Sequence, residues 1–258
     1  LFERTTRAVR PTLAAKRLQI RAEAMLEDAR EATRALRDDT EAHAWQRART
    51  VTVATIPTVV RALLVPALRA FRETGHTARL RVLDLAANEV AEAVAGGEAD
   101  LGLCSVPHLE PGTVFEPLFH EPLVLAMAAD HPLAPHPRLT WADLAAATLI
   151  LPARGTGNRL QIDEAMARGA HSLRWHMEVS RTSTALDLVA EGLGVAPLPL
   201  SCLAPSDNGP CWRPIEAPLV SRPIGLLTRL DQTDTRKDKA PVAALRAALR
   251  AVPPPALP

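Results

Sequence analysis

Tyrosine is absent from these 258 residues, and the aromatic share is only 3%. So few rings argue against a pocket that grips its ligand by stacking. Cysteine is scarce and odd in number: Cys104, Cys202 and Cys211, with no CxxC spacing. Three such thiols exclude a disulfide framework and read as reduced, structural groups of a cytosolic protein. No apolar run approaches the roughly 20 residues that span a bilayer. Leu1 is followed by Phe2-Glu3-Arg4 and not by an apolar export signal, so a cytoplasmic place is expected. Charge of one sign is also lacking. Thirty Lys and Arg against 29 Asp and Glu leave a net charge of +1, which makes no case for a polyanion partner of the whole chain.

Catalytic signatures are missing as well. No P-loop or nucleophile elbow occurs. The eight histidines are scattered, and His171 and His176, five apart, have no cysteine at ligand spacing. Glu98 and Asp100 fall in a turn beside a strand, where capping and solvation account for them. Gly155-Thr156-Gly157 is too short for a phosphate loop. The expectation is therefore a non-enzyme with no catalytic residue, no metal and no cofactor.

What is present is a soluble-type composition, 47% hydrophobic and 23% charged, long enough for one large domain or two small ones. Residues 1–21 hold six basic side chains (Arg4, Arg7, Arg10, Lys16, Arg17, Arg21) against Glu3. That is either a phosphate-contacting end or a solvated terminus, and charge alone favours the second. Residues 1–11 are too short to fold alone, and the apolar pair Leu1-Phe2 should pack on something upstream. From Thr12, which can cap it, to about Arg47, no glycine or proline interrupts a helical stretch. Leu18, Met25 and Ala32 are seven apart, as are Ala22, Ala29 and Leu36, a heptad seam of about three repeats. Thirty-six residues at about 1.5 Å each would reach roughly 54 Å, which favours a dimerising connector over a helix lying on its own domain.

After Thr50 the period changes. A strand at 51–56, a helix from Pro57 to near Gly75 and a strand at 79–85 lead into residues 88–104, NEVAEAVAGGEADLGLC. There Val90 and Val94 mark a short amphipathic helix, Gly96-Gly97 stops it through a left-handed cap, and Leu101 to Cys104 reads as a buried strand. Strands are expected at 114–121 and 122–128. A short helix capped by Thr140, with Asp143 at its third position, follows. The βαβαβ order then recurs: strand 148–151, helix 159–168, strand 175–179, helix 182–191 closed by Gly192, strand 195–198. Thr182-Ser183-Thr184 is read as the cap of that second helix. A strand at 223–228 can return to the first half, and a last helix covers 242–251. Two α/β halves facing a cleft fit this repeat, with ligands expected at the carboxyl ends of the parallel strands.

Four stretches, LFERTTR at the start, VAGGEADLGL at 94–103, EPLVLAMAADHPLA at 121–134 and DLVAEGLGVAPLP at 187–199, resemble in order and spacing a LysR-type transcriptional regulator. The resemblance implies a type 2 periplasmic-binding-protein-like effector module made of two βαβ subdomains. Residues 1–11 would be the wing remnant of a winged helix-turn-helix and 12–47 the linker helix for a homodimer or homotetramer. Residues 50–129 with 229–252 would be subdomain I, 130–228 subdomain II and 253–258 a disordered tail. The family's earlier DNA-binding helices have no counterpart in these residues. A small-molecule effector, possible carboxylates included, would lie between the halves. Its expected contacts are Thr55, Pro57, Thr58, Ala87, Asn88 and Ser105 on one side and Arg154, Gly155, Thr156, Thr182, Ser183 and Pro199 on the other. Arg154 could fork onto a carboxylate or simply be a solvated loop arginine. Thr58 is the favoured contact in the first half, with a plain helix cap as its alternative. Arg4, Thr5, Thr6 and Arg7 resemble wing residues that touch DNA, the partner of the full-length protein. A transporter's solute-binding protein shares the fold but predicts an export signal and no heptad helix. An enzyme of the fold class predicts a catalytic group in the cleft.

Overall fold

The computed structural model describes residues 2–5, 8–12, seven positions between 15 and 29, 50–76, 78–105, 110–169, 173–203, 210–230 and 240–255. The rest of the 12–47 stretch, Thr6, Arg7 and residues 256–258 lie outside the described residues, with the expectations attached to them. Strands β1 (Phe2–Thr5) and β2 (Ala8–Pro11) form an antiparallel hairpin, Glu3 opposite Arg10. The Oγ1 of Thr12 accepts a hydrogen bond from the backbone N–H of Ala15 at 3.2 Å, as a helix cap does. Ala15, Leu18, Gln19, Ala22, Met25, Leu26 and Ala29 are helical, and Leu18, Met25 and Leu26 are exposed.

The first half holds β3 (Thr50–Thr55), β4 (Arg79–Asp84) and β5 (Leu101–Cys104), all parallel in the order β4-β3-β5. The β3–β4 connection is not the uniform helix expected from Pro57. It starts as a 3-10 turn at Pro57–Val59, widens to a π turn at Val60–Leu64, and becomes α1 only at Val65–Glu73. Pro66 accounts for the change: it has no N–H to give, and its ring crowds the carbonyl four residues back, so the ladder loosens just before it. Helix α2 (Ala87–Gly96) ends at Gly97, whose φ of 77° supplies the left-handed cap. Asp100 reaches back to β3, its carboxylate accepting from the N–H of Thr52 at 2.9 Å, so this acid is structural. A side chain at Gly102 would press on Val90, Val94 and Leu227, which is why the helix can lie so close to β5.

Strand β6 (Thr113–Met127) is one continuous 15-residue strand, where two were expected. Pro117 and Pro122 do not break it. Pro117 sits opposite Gly225, beside a shift of register, where ladder hydrogen bonding is already interrupted. In the second half come β7 (Leu139–Thr140), a 3-10 helix at Trp141–Ala146, β8 (Ile150–Pro152), α3 (Gly157–Arg168), β9 (Met177–Val179), α4 (Thr182–Ala190) and β10 (Ala196–Pro199). The Asp143 carboxylate accepts from the N–H and hydroxyl of Thr140 at 2.7 and 2.8 Å. Strands β8 and β9 are parallel, and a parallel bridge between Leu149 and Val195 joins β8 to β10. Strand β11 (Cys211–Glu216), not expected from the sequence, pairs with β6 and β7. Strand β12 (Ser221–Arg229) returns antiparallel along β6 and pairs with β5, and α5 (Ala240–Ala251) packs on α1.

The halves thus repeat: β5 has antiparallel β12 at its side, and β10 has antiparallel β6. Val53, Leu63, Leu101, Leu103, Leu226 and Leu245 centre one core. Leu125, Met127, Trp141, Leu149, Ile162 and Val195 centre the other. The paired strands β6 and β12 run between the two cores.

Candidate functional site

At that crossing, Arg222 of β12 stands directly opposite Glu121 of β6. Their side chains are 4% and 0% exposed, and Arg222 Nη2 donates to Glu121 Oε2 at 2.8 Å, with Nε donating to the same oxygen at 3.0 Å. The second carboxylate oxygen, Oε1, accepts from the backbone N–H of Ser201 at 2.5 Å. The remaining guanidinium bonds reach one partner in each half. Nη2 donates to the Thr58 hydroxyl of the first half and Nη1 to Asn158 Oδ1 of the second, both at 2.8 Å. The Ser201 hydroxyl closes the ring by donating to the Thr58 carbonyl at 2.8 Å. Five chain segments meet in this clasp, and the desolvation that makes a buried ion costly is answered bond by bond. Cys202, next along, has its thiol pushed up to about 12 by burial, and burial does the same to Cys104.

A small cavity of about 50 Å³ lies against the clasp in the second half. Its lining includes Pro152, Thr156, Asn158, Ser180, Arg181 and Thr182. The walls are the carboxyl ends of β8 and β9 and the first turns of α3 and α4, whose free N–H groups and dipoles favour negative charge. Thr156 caps α3, its Oγ1 accepting from the N–H of Arg159 at 3.3 Å and donating to the Ala153 carbonyl at 2.8 Å. Helix α4 is capped otherwise than expected: its cap residue is Arg181, without a side-chain hydrogen bond, and Thr182 is already helical. Thr182 is therefore free to face the cavity instead of closing its own helix. Arg159 is not a cavity cation. It is buried, held by Asp163 at 2.8 Å, Glu178 at 3.1 Å and the Pro152 carbonyl at 3.1 Å.

The expected contacts divide accordingly. Thr156 and Thr182 line the cavity. Arg154 and Gly155 sit exposed in the turn before α3, Ser183 is exposed on α4, and Pro199 is buried at the end of β10 opposite Leu123. On the first half the Thr58 hydroxyl accepts from Arg222 Nη2 at 2.8 Å. Thr55 is fully buried and donates to the Ile56 carbonyl at 3.1 Å. Pro57 and Asn88 are exposed, while Ala87 and Ser105 are half-buried, and none of them lines the cavity. Sequence reasoning missed Glu121, Asn158, Arg181, Ser201 and Arg222. One signal was there: Glu121 and Arg222 each stand next to an apolar run, PLVLAM and PIGLL, where an unpaired charge would be untenable. Arg4 and Thr5 lie in β1 of the hairpin.

Among the described residues no cluster of His, Cys, Asp or Glu could hold a metal ion, and no helix is long and apolar enough to cross a membrane.

Residues 45–251 match the family described as LysR substrate binding domain. The chain is 35% identical over 232 residues to the uncharacterized HTH-type transcriptional regulator YbhD of Escherichia coli K12, covering 90% of this chain and 72% of that protein. It is 30% identical over 257 residues to a probable hydrogen peroxide-inducible genes activator of Streptomyces viridosporus, covering 98% and 81%. Among solved structures, full-length OxyR from Pseudomonas aeruginosa, in a point-variant form, is similar with a TM-score of 0.69 at 24% identity over 98% of this chain and 82% of that one. The BenM effector binding domain with its effector benzoate is similar with a TM-score of 0.66 at 19% identity, over 78% and 90%. At these identities the two structures speak for the fold.

Proposed function

The chain belongs to the LysR family of transcriptional regulators, and on that premise we propose that its two α/β halves sense a small anionic effector, a carboxylate first of all, in the cavity beside the clasp. One observation carries this reading: the first turns of α3 and α4 and the cap residue Arg181 line the same small space. An anion there meets backbone N–H donors and a cation, while the apolar part of the lining, Ile150, Val179 and Leu198, can take a short hydrocarbon body. The effector chemistry of BenM, whose domain binds benzoate, is of the same class. The cavity is small and lined by the second half alone, and Asn158 of its lining is tied through Arg222 to Thr58 of the first half, so an effector larger than a few heavy atoms must widen it and disturb that tie. Effector binding and the angle between the halves, 50–129 with 229–252 against 130–228, are then one equilibrium, and the ligand shifts it only by the difference in its affinity for the two arrangements.

In the assembled regulator, Arg4, Thr5, Thr6 and Arg7 contact DNA backbone and minor groove, and residues 12–47 join copies into a homodimer or homotetramer. A change of angle between the halves becomes a change in the spacing of the DNA-binding ends. Burial pushes the thiols of Cys104 and Cys202 up to about 12, which makes these two poor nucleophiles. A catalytic role has no support in the chemistry of the cavity, whose polar groups are caps, amides and an arginine.

Thermal melting with and without small carboxylates tests the reading. Acetate, propionate and benzoate at fixed ionic strength raise the melting temperature over chloride, as any ligand of the native state must. Arg181→Ala abolishes most of that rise, and Arg154→Ala, from the exposed turn, reduces it less. A rise that both variants leave untouched overturns the anion site.

A further inference from the structure

We infer that Asn158 is the specificity-determining residue of this cavity, held by Arg222 so that it presents only hydrogen-bond donors to the effector. The inference deepens the anion-sensing reading above and rests on it. Asn158 is the one residue shared by the cavity lining and the clasp. An asparagine amide has two ends, one accepting and one donating, and on its own either end could face a ligand. Here the choice is made. The neighbour is a guanidinium, which has donors and no acceptor, so the Oδ1 must face Arg222, as the 2.8 Å bond from Nη1 shows. A flipped amide would set N–H against N–H beside a cation.

Arg222 cannot turn away to relieve that clash. Its side chain is 4% exposed, and Glu121 and Thr58 hold its other nitrogens. The Asn158 Nδ2 is left without a protein acceptor among the described residues, and its two hydrogens are available to a ligand. The chain of polarity therefore runs from the Glu121 carboxylate through Arg222 and the Asn158 amide to the cavity. A ligand that brings a carboxylate or carbonyl oxygen completes it. A ligand that brings an N–H or a cation meets a fixed donor and is refused. An acceptor bound at Nδ2 also polarises the amide and tightens its bond to Arg222, so occupancy of the cavity reports directly to the clasp.

The test uses the full chain, with acetate and methylammonium as probes, and reads affinity by calorimetry and unliganded stability by thermal melting. The wild type binds acetate and not methylammonium. Asn158→Asp keeps an oxygen on Arg222 but turns the other end into an acceptor; its unliganded melting temperature holds or rises, and acetate binding weakens about tenfold or more, the worth of a hydrogen bond to a charged group. Asn158→Ala, which adds no charge, also weakens acetate, and so separates the lost donor from simple repulsion. Acetate binding at wild-type strength in Asn158→Ala overturns the role of Asn158 alone. A wild type that binds neither acetate nor any carboxylate of the panel above overturns the anion reading and this inference with it.

Discussion

Glu121 has no solvent exposure, and Arg222 and the Ser201 N–H stand within hydrogen-bond reach of its two oxygens. Such a pair adds little to stability compared with well-packed apolar residues, but removing one member strands the other charge in the interior. Arg222→Ala is therefore expected to cost about 3–5 kcal/mol in urea denaturation. It also unties Thr58 from Asn158, so the loss should come with easier proteolysis between the halves. A cost near that of an exposed arginine, under ~1 kcal/mol, would mean that water enters and the clasp is not closed in solution. Neither residue stands out in the sequence: a carboxylate at 121 and a guanidinium 101 positions later become partners only when β12 returns along β6 in one particular register.

At the scale of elements, α5 is tied to β6 by Glu116, which takes Arg250 at 2.7 Å and Arg246 at 3.3 Å. The hydrogen bond from Arg250, more than any other contact, holds the Glu116 carboxyl below its ordinary value of 4.5. A carboxylate depressed in the folded state contributes stability above its unfolded pKa and loses that contribution as pH falls through the folded value. At neutral pH the wild type should exceed Arg250→Ala by the ~0.2–1 kcal/mol of a partly exposed pair, and the gap should close as pH drops below about 4.5. A gap that persists at pH 3 would assign the effect to packing of the arginine stem. The same scale shows why the β-strands were read unevenly from sequence. Strand β3 announces itself by β-branched alternation and β5 as a short apolar run, whereas β11, CWRPIE, mixes polar, proline and apolar residues and becomes a strand because β6 and β7 offer it edges on both sides. The π turn before Pro66 is a local answer to a missing N–H that hydrophobic spacing does not register.

For the whole molecule, the apolar helical positions Leu18, Met25 and Leu26 lie 53%, 67% and 56% exposed in the single chain. Apolar side chains at that spacing ask for a partner helix. Light scattering of the chain should report at least a dimer, and Leu18→Asp with Met25→Asp should shift it to monomer while leaving the melting of the two halves unchanged. A clean monomer in the wild type would sink the connector reading of residues 12–47.

Periodicity, glycine stops and repeated βαβ order were enough, by themselves, to determine that this chain makes two similar α/β halves, because each of those signals is local and repeats along the chain. The cap at Thr12, the left-handed stop at Gly97 and the Thr140–Asp143 pairing belong to the same class: partners three or four residues apart meet whatever the rest of the fold does. Which groups face the cleft was decided by tertiary structure. Thr58 and Arg154 look like ligand contacts by position, yet one hydroxyl is claimed by Arg222 and the other side chain points from an exposed turn. Arg181, Asn158 and the Glu121–Arg222 pair come from four separate segments. The crossing of β6 and β12 joins the pair, and the pairing of β8 with β9 sets the starts of α3 and α4 side by side, since a hydrogen bond depends on ångström-scale register that no spacing along one strand can carry.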